Sequence, residues 1–429
     1  MKVLEFLNTY PEQFNYLKPA SEIQYNNELN KSDFPLYKHT YDDIKVSNSY
    51  CYKIHHSDQD VKKAYIETSY YIGVDIIPNT NKVIHISPKI DTDNYKVDYF
   101  KVVQEALSQE LLPEDTKGLF RIDFEKEYIK INQEDDYLSP LLFAQFLNLL
   151  KTIVKKGLRR SFYKVEANLN AKVRGKILVG HSIKNNLLKG RVDRTFCKYQ
   201  EYGLNHIENK VLKKALEFVA SNIFNHSSFD SLKKNIIYCK PFFDKIDSDV
   251  NENKIRNYRA NPFYAEYAQA IKLAKLILKR YGFKIENTTK TSVSTPPFWV
   301  DMSKVFELYV YKKLKEKFIH VEYEPNINGY YPDFLVSSKY FTGVIDAKYK
   351  PRYKGDAIDI ADIRQVSGYA RMSDVYKHLS IEDKNTLLDC LIIYSDQTLE
   401  SKEIDFQKSH AVRNYEQFYK IGFKLPQIE

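Results

Sequence analysis

The sequence predicts a multidomain α+β protein with a β-rich N-terminal region, a mainly helical middle and a C-terminal α/β domain. Three observations carry that expectation. β-branched and aromatic runs dominate the first hundred residues. From about Tyr99 apolar residues recur at three- and four-residue spacing. After Pro297 the order becomes helix, strand pair, helix, strand. The expected boundaries are residues 1–98, 99–290 and 297–429. A length of 429 residues suits two or three domains, and 43% hydrophobic content gives each a core.

The elements follow in order. The stretch YIETSYYIGVDIIPNTNKVIHISPKI, Tyr65 to Ile90, is broken by PNTN and predicts a hairpin, with Pro88 ending its second strand. DYFKVVQEALSQELL and SPLLFAQFLNLLKTIVKKGL predict helices, the second closed by Gly157. RRSFYKVEANLNAKVRGKILVGHSIKNN is a basic strand or irregular segment. NHIENKVLKKALEFVASNIF is helical, with Asn205 a candidate cap, and NPFYAEYAQAIKLAKLILKRYGF is another helix ending near Gly282. TKTSVSTPP, Thr289 to Pro297, reads as a linker because its prolines cannot continue a helix. Beyond it lie the amphipathic MSKVFELYVYKKLKEKF, two short strands, the helix DIADIRQVSGYARMS and the buried strand TLLDCLIIYS.

Composition narrows the class. The net charge of +9 is a mild excess, compatible with a nucleic-acid partner and equally with a solvated basic face. Cys51, Cys197, Cys239 and Cys390 are far apart and form no C-x-x-C pair, so a disulfide framework or zinc ribbon is not expected. No apolar run approaches the ~18 residues of a membrane span, and no signal peptide opens the chain. The expectation is a cytoplasmic protein with no membrane partner. No G-x-x-x-x-G-K-[ST] loop is present, so no nucleotide is expected on this chain.

The chemistry concentrates in YYPDFLVSSKYFTGVIDAKYK, Tyr330 to Lys350. If its two apolar runs form a hairpin, Asp333 at the start of the first meets Asp346 at the end of the second. Asp346 and Lys348 are two apart and share a strand face. Two carboxylates and an ammonium then converge, a set suited to a hard divalent cation and to phosphodiester hydrolysis. A surface ion pair is the simpler alternative for three such residues.

The motif PD-F…ID-A-K resembles the PD-(D/E)xK nuclease superfamily. Glu307 in VFELYV matches its upstream helical acid, and Gln365 and Tyr369 in QVSGY match the Q-x-x-x-Y of one branch. The resemblance implies a nuclease domain with a mixed central sheet. It makes Asp333, Asp346, the Ala347 carbonyl and Glu307 contacts of Mg²⁺, or of Mn²⁺ in its place. It casts Lys348 as the water-orienting or phosphate-facing group, and Gln365 and Tyr369 as support for the site.

The whole chain is similar to the McrC family, nuclease subunits of McrBC restriction systems. YIGVDIIPNTNKVIHISPKI, VRGKILVGHSI, GLNHIENKVLKKAL and VIDAKYK carry this likeness in the family's order. It implies docking on a hexameric McrB-like AAA+ GTPase through the N-terminal half, stimulation of its GTP hydrolysis, and cleavage of double-stranded DNA. Arg159, Arg160, Lys164, Lys172, Arg174 and Lys176 are the candidates for contact with the ring or DNA. Two alternatives stand beside this reading. One is a non-catalytic ring activator with a decayed nuclease fold. The other is an iron–sulfur DNA nuclease of the AddB type, which needs four cysteines.

Overall fold

The computed structural model describes residues 15–17, 24–30, 37–40, 50–56, 63–80, 82–88, 90, 96–109, 111, 115–116, 118–132, 136, 138–223, 230–250, 264–282, 292–350, 358–399 and 410–427. The chain divides into two compact units. The first joins Met1–Ala144 to Lys284–Glu429, and the second is Gln145–Phe283. Residues 1–98 and 297–429, expected as separate domains, thus share one unit with residues 99–144.

The chain opens with β1 (Asn15–Leu17), β2 (Gln24–Asn30), β3 (Tyr37–Thr40), β4 (Tyr50–His56), β5 (Lys63–Thr68), β6 (Tyr71–Ile76) and β7 (Lys82–Ile86). Then come α1 (Tyr99–Ala106), β8 (Phe120–Ile122) and β9 (Ile129–Asn132). The expected hairpin is β6–β7, antiparallel with Gly73 opposite Ile86. Asp98 caps α1 by accepting from the Lys101 amide.

α2 (Leu138–Lys156) leads into the second unit, where Gly157 follows it at φ +94°, the left-handed turn that ends helices. There follow β10 (Ser161–Asn170), β11 (Lys176–Ile177), α3 (Val179–Asn185), β12 (Arg194–Gly203), α4 (Ile207–Ile223), α5 (Asp230–Cys239) and α6 (Ala265–Gly282). The basic segment is therefore part strand and part helix: β10 and β11 lie within it, α3 ends it, and β10 pairs over ten residues with β12, which carries β11 on its other edge. Asn205 does not cap α4. Both ends of its amide are taken by Asp247, whose backbone N–H and carboxylate it pairs at 2.9 and 2.8 Å.

The chain returns to the first unit through β13 (Ser292–Thr295) and β14 (Phe298–Asp301), then α7 (Met302–Lys317), β15 (His320–Tyr323), β16 (Phe334–Ser337) and β17 (Thr342–Lys348). α8 (Ile360–Tyr369), α9 (Ser373–His378), β18 (Asp389–Ser395), β19 (His410–Ala411) and β20 (Phe418–Phe423) complete it. The expected linker is thus half strand. β13 pairs with β9, and β14 lies between β6 and β8 in the five-stranded sheet β1-β7-β6-β14-β8. The linker expectation weighed the two prolines; Ser-Val-Ser-Thr before them suits an extended backbone, and Pro296-Pro297 only separates the two strands. Asp301 ends β14 and also caps α7, accepting from the Lys304 amide at 3.0 Å.

The C-terminal sheet has six strands in the order β15-β16-β17-β18-β20-β19. It is mixed: β15, β16 and β17 are antiparallel, while β17, β18 and β20 run parallel. Consecutive residues at the end of β17 point to opposite faces. Lys348 reaches Gln365 of α8, whereas the Tyr349 ring packs on Phe306 of α7. The α8 face is sealed by Val344, Ile363, Val366 and Ile392. Gly343 sits where β17 and β18 approach closely: a Cβ there would fall 1.8 Å from the Asp389 carbonyl oxygen. Gly343→Ala is expected to lower stability by about 1–3 kcal/mol or more, read as a lower denaturant midpoint; an unchanged midpoint would contradict this packing.

Candidate active site

The hairpin places the acids as the alternation requires. β16 pairs antiparallel with β17, with Phe334 opposite Ile345, so the next positions outward are Asp333 and Asp346. Asp333 Oδ2 accepts from the Ala347 amide at 2.8 Å, which locks one carboxylate against the strand bearing the other. Asp346 is fully buried. The Lys348 ammonium stands 2.8 Å from Asp346 Oδ2 as an ion pair, yet neither oxygen of Asp346 receives a hydrogen bond of good geometry.

Two further acids, Glu307 and Glu324, lie close enough to Asp333 to feel its charge. Glu307, half-buried on α7, lies one turn after Ser303, whose hydroxyl is 3.4 Å from Oε1. Burial first, then Asp333, Asp301 and Glu324, pushes the Glu307 carboxyl well above the usual range. Burial and the Asp346 charge do the same to Asp333. For Asp346, burial raises the pKa against the opposing Lys348 ammonium. Lys348 is raised as well, for a different reason. Burial alone would lower it, but Asp346 and Asp333 hold it above the ordinary lysine range, so it stays charged.

α8 supplies the other wall. Gln365 is exposed and its Oε1 accepts from Lys348 at 3.1 Å. Tyr369 does not join the cluster; its ring is half-buried against the core under α8. The sequence reading missed Asp362, one turn before Gln365 and 6% exposed. Asp362 bonds Lys350 at 3.0 and 3.3 Å and lies 3.9 Å from Lys348. The signal was present: Asp346, Lys348 and Lys350 alternate along one line, and Asp362 shares a helix face with Gln365.

The donor chemistry fits a small hard cation. Two adjacent carboxylates, one with unsatisfied buried oxygens, are what a cation would neutralise. Among the described residues no group of three or more His, Cys, Asp or Glu is gathered closely enough to hold a metal. Mg²⁺ needs no such cage, since it binds through one or two carboxylates and keeps waters in its other positions. The four cysteines are all buried, in β4, β12, α5 and β18, and none falls in such a group. Burial pushes the Cys239 and Cys390 thiols up to about 12. Nothing there matches a four-cysteine iron–sulfur site.

The basic candidates lie in the second unit and divide into two kinds. Arg159 is a strut: its Nη1 bonds both Glu208 oxygens at 3.0 and 2.8 Å and its guanidinium lies 5.4 Å from the Tyr264 ring. Arg174 pairs with Glu201 at 2.8 Å and covers Tyr199. Arg160, Lys164, Lys172 and Lys176 are exposed.

The family model for the McrBC 5-methylcytosine restriction system component matches residues 66–381. The chain belongs to the McrBC family. Its matched span takes in the second unit whole, together with Glu307, Asp333, Asp346, Lys348, Gln365 and Tyr369. No curated protein matches this McrBC chain. Among solved structures it is similar to a chain in the tetradecameric assembly of Thermococcus gammatolerans McrB AAA+ hexamers with bound McrC. Identity there is 14% and the TM-score 0.40, over 96% of this chain and 94% of that one. A second likeness is to the Thermococcus gammatolerans McrBC complex, at 14% identity and TM-score 0.29, over 70% and 87%. Likeness this loose fixes neither partner nor chemistry. No described helix of the McrBC chain is long and apolar enough to cross a membrane.

The raised acid pKa has a consequence for stability. Asp333 binds a proton more tightly folded than unfolded, so folding gains as pH falls from the folded value toward the unfolded ~3.8 and loses above it. Asp333→Asn removes that loss. The metal-free variant is expected to melt higher than wild type at pH 7 by roughly 2–4 °C, the shift from ~1 kcal/mol. The margin should shrink at pH 5, as scanning calorimetry at both values would record.

Proposed function

We propose that this chain is the endonuclease subunit of a McrBC-type restriction system. It hydrolyses phosphodiesters of double-stranded DNA with Mg²⁺, after docking on an AAA+ GTPase ring whose hydrolysis it stimulates. The observation that carries the catalytic half is the buried Asp346 beside the half-buried Asp333, with Lys348 between them and α8. Family membership supports the restriction role, and the missing nucleotide loop assigns the motor to another chain.

Asp333 and Asp346, with the Ala347 carbonyl, would hold the cation. When bound, Mg²⁺ supplies the charge that acidifies a water and steadies the phosphate. The chain's own groups do the rest. Lys348, kept cationic, neutralises a phosphate oxygen and serves as an electrostatic group, not as a proton acceptor. Glu307, whose carboxyl is raised well above the usual range by burial and then by Asp333, would position a water beside Asp333. Gln365 holds Lys348 in place.

The docking half rests on the ribbon of the second unit. Arg159 to Gly203 contains eleven Lys and Arg against three Asp and Glu, a net +8 of the chain's +9. The connection between β10 and β12 also exposes Val173, Val179, Leu187, Leu188 and Val192 at 56–80%. Aliphatic side chains this bare, rimmed by positive charge, suit a protein partner with an acidic, apolar receiving surface.

Two outcomes are expected. Asp346→Ala or Lys348→Ala abolishes Mg²⁺-dependent cutting in the presence of the ring and GTP, while the variants still fold and bind DNA; full cutting by either would refute the site. Leu188→Asp with Val192→Asp cuts stimulation of the partner's GTPase about tenfold or more, the loss of ~1.4 kcal/mol or more of binding. Unchanged stimulation and assembly would remove the ribbon from the interface.

A further inference from the structure

We propose that Asp362 receives the Lys348 ammonium when a divalent cation takes the Asp346 carboxylate, making Asp362 a positioning residue that clears the cation site. This rests on the nuclease reading above. Lys348 is 2.8 Å from Asp346 Oδ2, the group a cation would need. An ammonium and a divalent ion on one buried carboxylate repel strongly. The lysine must therefore lose its proton or move.

The structure provides a place to go. Asp362 Oδ1 is 3.9 Å from Lys348 Nζ and Gln365 Oε1 is 3.1 Å away. Both acceptors sit on α8 at one-turn spacing, facing β17. A rotation at the end of the lysine's four-carbon stem closes the remaining gap without moving backbone. Asp362 is buried, and Lys350 pins both its oxygens at 3.0 and 3.3 Å. Its carboxylate is thus held in place and turned away from solvent. Lys350 has a second acid, Asp359, at 4.0 Å, so the helix keeps a tie to this lysine if Asp362 loses its charge. The ammonium leaves the cation's ligand yet stays in the site, available to a phosphate.

The test is Mn²⁺ affinity of the full chain without DNA, read by electron paramagnetic resonance and calorimetry. Asp362→Asn is expected to weaken binding about tenfold or more, the scale of a lost outer partner. In a Lys348→Met background the same substitution should change affinity less than about threefold, since Asp362 acts through the ammonium. Equal affinity of wild type and Asp362→Asn overturns the inference. So does an equal loss in both backgrounds, which would make Asp362 a remote charge only. Failure of wild type to bind Mn²⁺ at all overturns the nuclease reading itself. A measurement free of variants covers a folding defect: Mg²⁺ titration followed by nuclear magnetic resonance of the lysine ammonium groups. The Lys348 signal should shift while staying protonated and protected, and its loss would overturn the transfer.

Discussion

Two carboxylates held side by side, Asp346 buried and Asp333 half-buried, set the terms for everything around them. The antiparallel register of β16 and β17 leaves Asp333 and Asp346 adjacent, and the Ala347 amide prevents the first from turning away. Burial removes the water that would screen them, so each raises the cost of charging the other. Lys348 offsets part of that cost from within, and Lys350 with Asp362 carries the compensation one turn further along α8. A hairpin optimised for stability alone would not contain this pair. In the proposed reading, a bound cation supplies the charge that this pair lacks.

The hairpin and its acids were legible because strand alternation and a short turn dictate which residues meet. The helices announced themselves through apolar spacing, and Gly157 and Gly282 marked two of their ends. What escaped was long-range. Nothing local in SVSTPPFWVD states that its second half enters a sheet formed two hundred residues earlier, between β6 and β8. Asp362 escaped for a different reason. Its meaning depends on Lys350, twelve positions away, and a lone acid in a helix ordinarily faces solvent.

The basic stretch shows how charge alone misleads. Arg159 reads as a surface cation, yet it is half-buried and committed to Glu208 and Tyr264; Arg174 stays exposed while pairing with Glu201 and covering Tyr199. The exposed lysines nearby carry no such commitment in their sequence pattern, so composition could not separate struts from free charges. The bare aliphatics of the same ribbon were the stronger clue. They went unread because valines and leucines in a strand-like segment are expected to be buried.

Asp301 is the last rung of β14 and the cap of α7 at once. No loop separates the N-terminal sheet from the helix that carries Glu307, so there is no slack between them. A displacement of β14 would therefore reach the first turn of α7 without an intervening loop. Chain continuity alone thus ties Glu307 to a sheet whose other strands lie at the far end of the sequence.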